Sequence, residues 1–290
     1  MPQLSTITKL DSVSFDELLN NHNPFLANDS KFNLLGVKLV TPGALAPLAA
    51  ACHALARSGR TPTIAVNDLS VRSYLQRCGF TSSVSHVAMF DPPYSALIGH
   101  SFELRRGSNP MLMELTKIEE GSALPSLLDQ VVWVLRHRLK YRKYDAFDVA
   151  TAISEICQNT FDHNHDTFGF IAMQGYGQGV KRFIEIAIAD NGLGLRSTLS
   201  RNAKNGTIRS DIEAIQIATK LGASEYDDPT RGTGLYHLLE IAYKNEGSVQ
   251  FRSGSGKTRF RMDTRKGWSF RVSEMPGVQI TLTLRSKAGG

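Results

Sequence analysis

A chain of 290 residues with 41% hydrophobic and 21% charged residues has the composition of an ordinary folded protein, which excludes a disordered or low-complexity chain. No stretch approaches the length of a membrane-spanning helix, and the N-terminal "MPQLSTITKLDSVSFDELL" lacks the apolar core of a secretory signal, so a cytoplasmic protein is expected. The net charge of +6 would suit nucleic acid or an acidic protein, but no nucleic-acid motif accompanies it.

The basic residues gather in "RHRLKYRK" (136–143) and at Arg252, Lys257, Arg259, Arg261, Arg265, Lys266 and Arg271. They are read as solvated helix and strand faces. Cys52, Cys78 and Cys157 have no paired spacing and stand in apolar segments, so reduced core thiols are expected. The length suggests two domains, here drawn as 1–122, a small α/β unit with a connecting segment, and 123–290.

Residues 1–30 read as a loosely ordered lead-in. "FNLLGVKLV" (32–40) reads as a strand, and "PGALAPLAAACHALARSG" (42–59) as a helix ending at Gly59, with Leu45, Leu48, Cys52 and Leu55 on one face. "TPTIAVND" (61–68) is a second strand, and "SVRSYLQRCGF" (70–80) a second helix capped by Ser70. The alternation predicts a small α/β domain. The Ala-rich helix ending in "ARSGR", the next strand and the "VRSYLQRCGF" helix resemble the STAS-like domains of bacterial regulatory proteins, over residues 30–85. Residues 81–122 read as connecting structure. A helix is predicted over 124–141, and another from about Asp145.

In "DVATAISEICQNTFDHNHD" (148–166), Val149, Ile153, Ile156, Cys157 and Phe161 form the buried stripe of that helix. Glu155, Asn159 and His163 fall four apart on another face. "FIEIAIADNGLGL" (183–195) is an alternating strand that ends in Asp190, with Gly192 and Gly194 just after it. The Asp can accept a hydrogen bond from an exocyclic amine, and the glycines let backbone approach a ligand closely. "TRGTGLYHLLEIAYKNEG" (230–247) is a Gly-rich turn opening a helix, whose N–H groups and dipole suit a phosphate. "RSGSGKTRF" (252–260) holds the letters of a Walker A loop. Phe251 stands where the first glycine belongs, however, and alternating strands flank the segment. Gly254-Ser255-Gly256 is therefore predicted to be a hairpin turn.

The order ExxxN, DxGxG, GTGL resembles the GHKL, or Bergerat-fold, ATPase family, over about residues 140–290. The resemblance implies a two-layer α/β sandwich, a mixed sheet covered by helices, that binds ATP and Mg²⁺. Asn159 would hold the Mg²⁺, Glu155 would be the general base, and Asp190 would bind the adenine amine. Gly192 and Gly194 would shape the pocket floor, and His163 would lie beside it. Gly232, Thr233, Gly234 and Leu235 would form the phosphate-side turn, with Arg231 reaching a phosphate. Residues 195–231 would be a lid containing a helix over 210–224. The family's final strand begins Gly-Thr where this chain has Gly277-Val278, which leaves Thr281 or Thr283 as substitutes. A zinc site at His163 and His165 is disfavoured, because no Cys or third His stands at ligand spacing.

His137 in "LRHRLKY" lacks the flanking residues of a phosphoacceptor. The expectation is an ATP-binding regulator whose lid controls a protein partner, with slow hydrolysis through Glu155. A Ser/Thr kinase of the anti-sigma type and a non-enzymatic ATP-gated scaffold stand as alternatives. A homodimer remains open, and neither a membrane nor a nucleic-acid partner is expected.

Overall fold

The computed structural model describes residues 7–94, 112–119, 124–162, 168–220, 233–261 and 266–287. Phe15, Leu18 and Leu19 recur at three- and four-residue steps and are buried, so helix α1 (Ser14–Asn21) forms inside the segment expected to be a loose lead-in. Ahead of it, β1 (Lys9–Leu10) pairs in parallel with β3 (Leu39–Val40). The single strand expected over 32–40 is two. β2 (Lys31–Asn33) belongs to another sheet, and the backbone turns between them, with the Val37 N–H donating to the Leu34 carbonyl. Helix α2 (Pro42–Arg57) opens on Pro42, which loses no hydrogen bond at a helix start. It closes with the Gly59 N–H on the Ala56 carbonyl and the Arg60 N–H on the Leu55 carbonyl, the bond pair of a Schellman end.

Strand β4 (Thr63–Ala65) leads to α3 (Leu69–Arg77), capped by Asp68 rather than Ser70. The Asp68 Oδ1 accepts from the Ser70 and Val71 N–H groups. The short helix α4 (Phe80–Val84), β5 (Met89–Asp91) and β6 (Leu112–Ile118) all lie in the stretch expected to be connecting structure. β2, β4 and β5 make a parallel sheet in the order β2-β4-β5.

The second half supplies α5 (Leu124–His137), α6 (Lys143–Asp162), β7 (Gly169–Tyr176), β8 (Phe183–Asp190), α7 (Leu195–Leu199), α8 (Asp211–Ala218), α9 (Gly234–Lys244), β9 (Ser248–Arg261) and β10 (Lys266–Arg285). The larger sheet has the order β6-β7-β8-β10-β9. Every neighbouring pair among these strands is antiparallel, where a mixed sheet was expected. The molecule is thus an α/β protein with helices and several sheets.

Strand alternation divides the large sheet into two faces. Ile171, Met173, Ile184, Ile186, Ile188, Ile280, Leu282 and Leu284 join the core beneath α5, α6 and α9. Phe170, Ala172, Ala187, Ala189 and Met275 face the other way and join the core that contains α2. Small residues on both surfaces let the Ala-rich helix lie close against the sheet. Phe32 and Ile64 of the parallel sheet belong to that same core. α2 is buried from Pro42 to Leu55.

The hairpin expected at Gly254-Ser255-Gly256 is absent, because β9 runs through it and pairs with β10 on both sides. The glycines serve a close approach instead. A Cβ on Gly254, whose φ is +56°, would lie 2.6 Å from the Asp211 carboxylate, and one on Gly256 would lie 2.7 Å from the α8 backbone. The Asp211 Oδ2 accepts from the Ser255 N–H and hydroxyl, seating α8 on the strand. Arg252 and Lys257 are also not solvated. They are 4% and 6% exposed, and both hold the Asp16 carboxylate of α1. Arg136, Lys140, Arg142 and Lys143 are exposed, as a solvated run requires.

Candidate functional site

Val149, Ile153, Ile156 and Cys157 bury one side of α6. Glu155 and Asn159, one helical turn apart, sit on a half-buried face. At its far end α6 reaches the sheet. A Cβ on Gly169 would lie 2.8 Å from the Thr160 Cγ2, and Gly169 is the residue opposite Asp190 in the β7–β8 ladder. Asp190 shares the alternation of Ile184, Ile186 and Ile188, so its side chain leaves the sheet on the α6 side. α9 begins against the same helix. The Thr233 hydroxyl donates to the Glu155 Oε1 (2.7 Å), the His237 Nδ1 lies 3.7 Å from the Glu155 Oε2, and a Cβ on Gly234 would come within 3.0 Å of the Glu155 side chain. Glu155, Asn159, Asp190, Thr233 and Gly234 therefore converge at one end of the sheet.

The loop after β8 is fastened from several directions. The Asp190 Oδ1 accepts from the Gly192 N–H (2.8 Å) and from the Val278 N–H (3.2 Å). Gly277, at φ +83°, lets β10 cross here, since a Cβ would lie 2.1 Å from the Asp190 carbonyl oxygen. The Leu195 N–H donates to the Ser253 hydroxyl (2.9 Å), which lies close under Gly194. The Arg57 guanidinium of α2 donates to the Asn191 carbonyl. Asn191 is 2% exposed, and its Oδ1 is buried without a hydrogen-bond partner.

His163, Arg231 and Gly232 lie outside the described residues. So does the part of the expected lid beyond residue 220, while α7 and α8 occupy the part before it. α8 ends at Ala218, within the helix expected over 210–224. Leu235 is partly buried between α9 and the cores on either side of it. Thr281 faces away from this end of the site, its Cγ2 3.2 Å from a Cβ on Gly43 of α2, and Thr283 shares its alternation. Neither reaches Asp190; the Val278 N–H does. Sequence reasoning missed Arg57, Thr160 and His237. The last was visible as a polar residue three positions after Gly234.

No group of three metal-ligating side chains occurs among the described residues. Burial pushes the thiols of Cys78 and Cys157 up to about 12 and that of Cys52 higher still, so none is a nucleophile near neutral pH. What the site offers is a carboxylate fixed at a strand end, a carboxylate and an amide on one helix, and a helix N-terminus facing them. No described helix is long and apolar enough to cross a membrane. Comparison of the sequence with family models and with curated proteins finds no match to either.

Proposed function

We propose that this is an ATP-binding regulatory protein of the GHKL type, with a Bergerat-fold layer behind a STAS-like unit. The observation that carries the reading is the convergence of Glu155 and Asn159 on α6, Asp190 at the end of β8 and Thr233-Gly234 at the start of α9. The start of α9 touches Glu155 directly, and Thr160 of the same helix touches Gly169 opposite Asp190, which supports reading the three sequence signatures as one site.

The residues fit a nucleotide. Two backbone N–H groups hold one Asp190 oxygen in place, which orients the carboxylate to accept from an exocyclic amine. Gly277 and Gly194 clear backbone where side chains would crowd the loop. The unpartnered Asn191 Oδ1 is a buried acceptor beside it. The first N–H groups of α9 offer phosphate oxygens unpaired donors and the positive end of the helix dipole. The Asn159 amide oxygen would hold Mg²⁺, which neutralises phosphate charge when bound. Glu155, oriented by the Thr233 hydroxyl, would take a proton from an attacking water. Closure of the lid expected over 195–231 would then change the surface shown to a protein partner.

Calorimetry tests the reading. Wild type should bind Mg²⁺-ATP, and Asp190→Asn should weaken binding by about 1–3 kcal/mol, the cost of a buried donor left unpaired. Glu155→Ala should keep binding and lose turnover by about 10²–10⁴-fold. With γ-labelled ATP, label appearing on a protein instead of as free phosphate marks the kinase alternative. Equal ATP affinity in wild type and Asp190→Asn refutes this pocket assignment.

A further inference from the structure

Helix α2 is tied to β8 at both ends. The Gly43 N–H donates to the Glu185 Oε1 (2.8 Å), and fourteen residues later the Arg57 guanidinium donates to the Asn191 carbonyl, six residues beyond Glu185. The two spans agree: that length of helix rises about 21 Å and that length of strand about 20 Å. α2 therefore runs alongside β8 in the same direction. Between the ties its alanines lie in one core with Ala187 and Ala189 of β8, and with Phe32 and Ile64 of the parallel sheet. A close-packed helix of this kind moves as a unit. Its last residue holds the backbone that follows Asp190, from the face of the sheet opposite Glu155 and Asn159.

We infer that Arg57 is a positioning residue for the Asp190–Gly194 loop, and that through it the N-terminal α/β unit sets nucleotide affinity. The inference rests on the nucleotide reading above for its functional half. Its structural half is independent, because it rests on the Arg57–Asn191 contact alone. Arg57 is itself exposed, so on its removal water meets the Asn191 carbonyl in place of a tethered charged donor, and the loop loses a fixed anchor. When Arg57 is removed, the loop loses its hold from behind, and the Asp190 and Ser253 contacts in front, still formed on average, open more often.

The test uses the full chain and the variants Arg57→Ala and Arg57→Lys, with amide hydrogen exchange and ATP calorimetry. In the unliganded protein, Arg57→Ala should speed exchange at the Gly192 and Leu195 N–H groups at least tenfold, leaving Ile186 in the middle of β8 unchanged. ATP affinity should fall about tenfold, and millimolar guanidinium ion should restore part of both. Arg57→Lys, which keeps the charge but not the fork of donors, should fall between. Unchanged loop exchange in Arg57→Ala overturns the inference. So does faster exchange along the whole of β8, which would make Arg57 a general stabiliser. If wild type binds no ATP, the nucleotide reading fails and, with it, the functional half of this one. Loop exchange still decides whether Arg57 positions the loop.

Discussion

Asp16 is 8% exposed, and two nearly buried cations share its carboxylate. Arg252 also donates to the Gln279 Oε1 and the Ser273 carbonyl, and Lys257 to the Ser12 carbonyl. Burial lowers the pKa of both cations, and Asp16 opposes that shift. Asp16→Asn would leave two buried positive charges without a counter-charge, a change that costs about 3–5 kcal/mol when a buried pair loses one partner. Urea denaturation should show that loss, while ATP affinity stays within a factor of two, because the cluster sits on the side of β9 that meets α1. Lys257→Ala should likewise cost stability and spare ATP binding. A tenfold loss of affinity in either variant would mean that the Lys257 side of β9 does serve the nucleotide. The local sequence could not show this arrangement. Gly-Ser-Gly has the composition of a turn, and its partners Asp16 and Asp211 are distant in the chain. The elements that carry Asp190, Asn159 and Glu155, a strand end and one helix, were legible because local periodicity sets them.

At the scale of elements, α2 was legible as an Ala-rich helix with one apolar face, but its burial from Pro42 to Leu55 in a core shared with both sheets was not. Helical periodicity reports one apolar face, and a helix apolar on nearly all sides leaves open what covers it. Glu185 marks the contact that periodicity misses: a carboxylate on the alanine face of β8, accepting from the first turn of α2. Burial raises its pKa above the usual 4.5, partly offset by the Gly43 N–H. A raised carboxyl pKa means that the folded state holds the proton more tightly than the unfolded state does. Stability therefore falls as pH rises through the window from 4.5 to the raised value, and stays lower above it. Glu185→Gln keeps an oxygen acceptor for Gly43 and removes the ionisation. Its melting temperature should exceed that of wild type at pH 7, and the gap should close as pH falls toward 4.5. A gap independent of pH would show that the folded and unfolded states bind the proton equally, so that burial does not raise the Glu185 pKa.

At the scale of the molecule, the core around α2 draws residues from α1, the parallel sheet and the large sheet together. Composition and length suggested two units, and nothing in a linear sequence announces that Phe170, Ala172, Ala187, Ala189 and Met275 are covered by a helix more than a hundred residues earlier. A shared core of this kind cannot lose one side without exposing the other, so its two sides should melt together. Calorimetry of the full chain should give a single transition with equal calorimetric and van't Hoff enthalpies. Mg²⁺-ATP at a hundred times its dissociation constant should stabilise the folded state by about 2.7 kcal/mol. At roughly 2–4 °C per kcal/mol for a chain of this size, that single transition should rise by roughly 5–10 °C as one unit. Two transitions, of which ATP moves only the higher or the lower, would separate the α2 core from the proposed nucleotide site and remove the physical basis for control of one by the other.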